Sequence, residues 1–233
     1  MTRAEGIVFI RGAIPGEVVE VRVEEKKRDY TLASVVEVVE SSPFRLEPPC
    51  PHFGTCGGCQ LQFISYERQA AMKQEILVDC LKRLGGFAAG QVEMLATLSG
   101  PDFGYRRRGQ FKVSKEGKVG FYREGTRDVV DLDACPLMSE EVNKALSRVR
   151  GGGSHLEGIK EIHITHGEEG TLVLLKGAAY KETLADAYLA LGFSGVAFEK
   201  GAYRGSGPAY AVFDLNGMKT PSRPGRFCRA TGC

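Results

Sequence analysis

Seven cysteines stand at positions 50, 56, 59, 80, 135, 228 and 233, and three of them crowd into "CPHFGTCGGCQLQ". Cys50, Cys56 and Cys59 follow a C-x5-C-x2-C pattern beside Gly57 and Gly58. Thiols so close together can ligate a metal, pair as disulfides or work as a redox dithiol. The odd count argues against a disulfide framework, as does a first stretch, "MTRAEGIVFIRGAIPGE", without the long apolar run of a secretory signal. A dithiol at Cys56 and Cys59 fits poorly, because no thioredoxin-like βαβ pattern surrounds it. Four thiolates can hold zinc or an iron–sulfur cluster, and the fourth candidate is Cys135 in "DACPLM". A zinc ribbon brings two C-x2-C knuckles; one knuckle, a third nearby cysteine and a distant Cys-Pro suit a cubane cluster better. His52 keeps a zinc site open, and free thiols are the plain alternative. Gly54, Gly57 and Gly58 would let the loop turn tightly and offer N–H groups to bridging sulfides.

The second chemical feature is charge. The whole chain carries a net charge of only +2, so any nucleic-acid footprint must be local. Residues 101–127 hold eight Lys/Arg against three acids, a local excess of +5. Arg106, Arg107, Arg108 and Lys112 are the candidate RNA contacts, supplying salt-dependent phosphate binding. Tyr105, Phe111, Phe121 and Tyr122 interleave with them; strand alternation assigns these rings to a core rather than to base stacking. Lys26, Lys27 and Arg28 are diluted by flanking Glu24, Glu25 and Asp29.

Elements of ordinary globular composition must position these groups. "GIVFI", "VVEVRVE" and "TLASVVEVVE" alternate at period two and are broken at Pro15-Gly16 and at "KKRDY", which predicts a small antiparallel β-barrel of OB-like type. "SYERQAAMKQEILVDCLKRLGG" predicts a helix over 65–86, capped by Ser65 and stopped by Gly85-Gly86, with an apolar stripe through Tyr66, Ala70, Leu77, Leu81 and Leu84. Cys80 beside that stripe is expected to be a small buried apolar group. Strands are predicted over 105–114, 118–124 and 128–138, then a helix over 139–150 with Ser139 as its cap and a flexible "GGGS" joint at 151–154. A hairpin around Glu168–Gly170, a helix over 181–192 and a strand at 195–201 follow, with "RGSGPAY" expected as a loop. No run is long and apolar enough to cross a bilayer, so a cytoplasmic protein without membrane contact is expected.

The stretch "CPHFGTCGGCQLQFISYERQAAMKQEILVDCLKRLGG" resembles the cluster-binding segment of the RNA uracil-5 (5-methyluridine) methyltransferases. The likeness continues through "YRRRGQFKV" and "KVGFYREGTRDVVDLDACPLM", and "GAIPGEVVEVRV" resembles the RNA-binding TRAM domain of many members. Radical enzymes that thiolate tRNA also carry TRAM, but their tighter cysteine triplet fits poorly. The resemblance implies a 4Fe-4S cluster on Cys50, Cys56, Cys59 and Cys135, and the rRNA branch (23S rRNA favoured over tRNA as partner). It further implies an α+β chain: a TRAM-like OB-type barrel at 1–44, clipped at its start, a cluster-binding central α+β domain at 45–215, and an aberrant or truncated tail at 216–233. Family members bind S-adenosylmethionine in a Rossmann-like domain, add a cysteine to C6 of uridine and methylate C5. Those motifs are not found here, so no Rossmann methyltransferase domain, catalytic residue or S-adenosylmethionine contact is expected. The expectation is a monomeric, RNA-binding part of a methyltransferase, with S-adenosylmethionine used only by a full-length member. The competing reading is a non-catalytic, metal-bound RNA-binding module.

Overall fold

A computed structural model describes residues 2–4, 6–88, 90–151 and 153–223. Cys228, Cys233, Gly152 of the expected joint and much of the expected tail lie outside the described residues. The chain divides into two units, residues 1–53 with 59–99, and residues 54–58 with 100–233.

In the first unit the alternating segments form β1 (Thr2–Ala4), β2 (Gly6–Arg11), β3 (Val18–Lys26) and β4 (Tyr30–Glu40). Gly16 takes φ +96° in the turn before β3, a conformation a Cβ would strain. β3 and β4 make the expected antiparallel hairpin, but β2 pairs with β4 in parallel, and the sheet runs β1-β2-β4-β3. The OB-like barrel is therefore corrected to an open mixed sheet. A barrel closes only where its two edges meet; among the described residues β1 and β3 stay as edges, and Val18, Val21 and Val23 of β3 stay exposed.

A charged knot stiffens this unit instead. The Glu17 carboxylate, its side chain fully buried, accepts Arg45 Nε and Nη2 at 2.6 Å each and the N–H groups of Ile14 (2.8 Å) and Ser42 (3.1 Å). The Arg45 hydrogen bonds hold its pKa down at about 2. The helix α1 (Tyr66–Arg83) follows, with Ser65 at its start and Gly86 at φ +71° beyond its end. Its stripe is not buried as expected: Leu77 is 50% and Leu84 82% exposed. Its first turns pack against the rest of the unit, where Met72 meets the Ile14–Phe63–Ile64 cluster, and Gln74 accepts from the Thr97 hydroxyl (3.2 Å).

The second unit holds β5 (Arg108–Val113), β6 (Val119–Tyr122), β7 (Val129–Asp131), α2 (Glu140–Arg150) and a 3-10 turn at Gly153–Leu156. There follow β8 (Glu161–Gly167), β9 (Gly170–Lys176), α3 (Glu182–Ala190), β10 (Gly195–Phe198), β11 (Tyr203–Gly205), β12 (Ala211–Leu215) and β13 (Met218–Ser222). Seven strands form one sheet in the order β11-β10-β9-β8-β5-β6-β7, and β9–α3–β10 is a parallel βαβ step. Phe111, Ile162, Ile164, Val173, Leu175 and Val196 project from one face into a core closed by α2 and α3. On α2 the buried residues are Val142, Ala145, Leu146 and Val149, the i, i+3, i+4, i+7 pattern of a one-sided helix. The described residues are thus mostly sheet, with three helices. "RGSGPAY" is not only a loop, since it contributes β11, and "FDLNGMK" turns back on itself at Asn216 (φ +54°) and Gly217 (φ +86°) to make the β12–β13 hairpin. No helix of the described residues is long and apolar enough to cross a membrane.

Candidate functional site

The cysteine loop begins with a turn in which Phe53 donates its N–H to Cys50 C=O (3.0 Å), and Gly54 then takes φ +80°. Residues 54–58 lie along the end of β6. Cys56 bridges Arg123, Gly57 N–H reaches Tyr122 C=O (2.9 Å) and Glu124 N–H reaches Thr55 C=O (3.3 Å). A Cβ on Gly57 would stand 3.2 Å from that carbonyl, so glycine is what lets the loop approach the strand. The Gly57 N–H expected for a sulfide is thereby used by backbone.

Cys135 sits in the turn between β7 and α2. The Asn143 amide clamps it, with Oδ1 accepting the Cys135 N–H (2.9 Å) and Nδ2 donating to the Cys135 C=O (3.1 Å). Sequence reasoning missed Asn143; the available signal was an amide side chain eight residues after Cys-Pro, within the first turns of a helix. Cys50 and Cys59 belong to the first unit, Cys56 and Cys135 to the second, and all four are half-buried. Cys80 is half-buried as well, not enclosed as expected. Among the described residues no three His, Cys, Asp or Glu side chains are grouped as a metal site. The donor set has the thiolate chemistry an iron–sulfur cluster requires, while the grouping itself is not displayed.

The basic segment splits by strand periodicity. On β5, Arg108, Gln110 and Lys112 share the face opposite the helices, in register with Thr165, His163 and Glu161 of β8. Lys112 pairs with Glu161 and lies 5.4 Å from the Tyr122 ring centroid. Glu161 also accepts from His163 Nε2 (2.9 Å). Burial pushes the Glu161 carboxyl up, but Lys112 and His163 outweigh it and hold the pKa at about 2. Burial lowers the pKa of His163, so that ring is neutral near pH 7. Arg107 instead pairs with Glu168 (2.7 Å), Arg108 reaches Ser222 Oγ (3.4 Å), and Arg106 is exposed over the Tyr105 ring. Of the four rings expected in the core, Phe111 is fully buried and stacked on Phe121, but Tyr105 and Tyr122 are exposed.

No family model matches the chain. Individual proteins do match it, and they are RNA methyltransferases. An uncharacterized RNA methyltransferase of Aquifex aeolicus is 40% identical over 159 residues, 68% of this chain and 37% of that protein. The 23S rRNA (uracil(1939)-C(5))-methyltransferase RlmD of Stenotrophomonas maltophilia is 38% identical over 70% of this chain and 38% of its own length. RlmD of Shewanella amazonensis is 32% identical over 97% of this chain and 54% of its own length. The chain therefore spans about a third to a half of the length of these relatives. Among solved structures, the tRNA (uracil-54, C5)-methyltransferase of Pyrococcus abyssi, in complex with S-adenosyl-L-homocysteine, matches with a TM-score of 0.68 at 23% identity. That match covers 94% of this chain and 56% of the archaeal one.

The homologues are thus RlmD-type 23S rRNA uracil-5 methyltransferases, and the fold matches that of a tRNA uracil-5 methyltransferase. This corrects the expected fold class, which gave the chain no Rossmann methyltransferase domain: 94% of the chain follows the fold of a solved methyltransferase, and 97% aligns with RlmD. The expectation rested on missing short motifs, whereas strand order and register follow from pairings distributed along the chain.

Proposed function

We propose that this chain serves an S-adenosylmethionine-dependent RNA uracil-5 methyltransferase of the 23S rRNA type, and that its own residues recognise RNA. The observation that carries the reading is the 32% identity to RlmD sustained along 97% of the chain. In this reading Arg106, Arg107, Arg108 and Lys112 contact RNA phosphates, and the exposed Tyr105 and Tyr122 offer rings on which bases can stack. Cys50, Cys56, Cys59 and Cys135 hold a 4Fe-4S cluster, which would tie the glycine-rich loop to the turn clamped by Asn143 and so act as a structural cross-link. S-adenosylmethionine supplies the methyl group in the reaction proposed. RNA is the partner, a monomer the working unit and the cytoplasm the compartment.

Anaerobic purification followed by iron, sulfide and zinc analysis tests the metal reading: about four irons and four sulfides per chain are expected, and zinc without sulfide overturns it. Binding to a 23S rRNA fragment and to tRNA, with transfer of labelled methyl from S-adenosylmethionine, tests the rest. Tight rRNA binding is expected. Binding without methyl transfer to uridine favours the RNA-binding module, and no RNA binding at all overturns the reading.

A further inference from the structure

A second polar site lies on the helix-covered side of the large sheet, away from the Arg108–Lys112 face. Period two places His166 on the same side of β8 as the buried Ile162 and Ile164, at the strand's end. There it lines an open cavity of about 450 Å³ with Thr171 of β9 and with Glu141, Lys144, Ser147 and Arg148 of α2. The helical spacing of 141, 144 and 148 puts those three side chains on one edge of α2.

The donors in this cavity are held but not used up. His166 Nδ1 lies 2.8 Å from the Thr171 hydroxyl, and Thr171 is only 7% exposed. When that hydroxyl donates to Nδ1, the imidazole hydrogen sits on Nε2 and is free to donate. Arg148 is fixed by Nη1 donating to Gly192 C=O (3.2 Å) and by its stacking on Phe193, which leaves Nη2 available. Lys144 makes an exposed i, i+4 pair with Glu140 and also feels Glu141, and such exposed pairs are weak enough to be exchanged for a better anion. The lining also holds a carboxylate, Glu141, whose pKa is lowered by its own backbone N–H and Ser139 and further by the nearby His166 and Lys144. Cavity size suits a nucleotide-sized group, and the ready donors are cationic or neutral N–H groups.

We propose that this cavity takes a phosphate group of a polynucleotide, held by Lys144, Arg148 and His166. The proposal rests on the RNA-binding reading above and adds a second contact site to it. A phosphate oxyanion accepts from Lys144 Nζ, from Arg148 Nη2 and from His166 Nε2–H, with Ser147 at the rim. Burial keeps the His166 pKa low in the free protein, with Glu141 and Glu168 pulling it up and Arg107 pushing it down, while Lys144 and Arg148 also face the ring. A bound phosphate favours the imidazolium, so binding takes up a proton and strengthens as pH falls from about 8 to 6.

The test uses the full chain, a single-stranded RNA of about 12 nucleotides and, separately, inorganic phosphate. Anisotropy titrations between about 50 and 200 mM salt compare the unaltered chain with Lys144→Ala, Lys144→Glu and His166→Gln. Circular dichroism checks that each variant is folded. Lys144→Ala is expected to weaken RNA binding roughly three- to tenfold and to reduce the log–log salt slope by about one. His166→Gln should flatten the pH dependence, and millimolar phosphate should shift the His166 ring resonances. RNA binding left unchanged by Lys144→Glu and His166→Gln, both folded, overturns this site while the RNA-binding reading stands. If the unaltered chain binds no RNA yet phosphate shifts His166, the RNA reading fails and the cavity belongs to a small phosphate-bearing molecule, which also overturns the polynucleotide assignment.

Discussion

The four-stranded sheet of the first unit and the seven-stranded sheet of the second grow from the same kind of alternating sequence, yet they are held together differently. In the second, α2 packs on β8 and β9 and α3 on β10, and Val142, Leu146, Ile162, Ile164 and Val173 are fully buried. In the first, the sheet itself buries Ala33, and Ile7, Phe9, Val21, Val23, Val36 and Val39 keep 38–63% of their surface exposed. What orders it is the Glu17–Arg45 knot, which binds the turn before β3 to the segment after β4. Apolar alternation builds strands in both places; burial on one face builds stability in only one.

The sharpest way to break this contrast is to empty the sealed core. Leu146→Ala should cost about 3–5 kcal/mol, read by denaturant unfolding with hydrogen exchange on β8 amides. A loss below about 1 kcal/mol would mean the helices do not seal that face. Next comes the knot: Glu17→Gln leaves Arg45 facing an uncharged amide and should destabilise the first unit by about 2–3 kcal/mol, seen as faster exchange in β4 but not β8. The same residue predicts an acid limit. Its folded pKa, about 2, lies below the ordinary value for an unfolded glutamate, so its contribution is complete above about pH 4.5 and fades as pH falls toward 2. Glu17→Gln should remove that part of the acid slope, whereas the Glu161 contribution, with the same sign, persists in the second unit.

A smaller effect is expected at Asn143. Its replacement by alanine leaves the Cys135 N–H and C=O to find new partners, at about 1–2 kcal/mol, and on the cluster reading proposed above the iron bound per chain falls as well. Unchanged iron would show that the clamp serves the turn alone. Smallest of all is Val21→Ser on exposed β3, within about 0.5 kcal/mol by thermal melting. A cost equal to that of a core residue would show the first sheet to be covered in solution.

Local chemistry was legible where local forces decide it. The cysteine spacing, the Ser139 cap that accepts the Val142 N–H, the turn at Gly16 and the one-sided α2 all follow from residues within a few positions of one another. The Asn216-Gly217 hairpin was also written locally and was passed over, though an Asn-Gly pair between apolar runs is the strongest short hairpin signal. The strands themselves emerged from period two, and their amphipathic helices from period 3.6.

Sequence alone therefore determined most of the elements, the donor types and the likeness to uracil-5 methyltransferases, because each of these resides in short-range pattern. Tertiary structure alone decided that β2 lies parallel to β4 and that the first sheet stays open. It also decided that Arg107 and Arg108 turn to different partners and that His166 and Thr171 meet α2 across a cavity. The physical reason is distance along the chain: pairing and cavity walls join residues many positions apart, and their energy depends on what else is buried beside them.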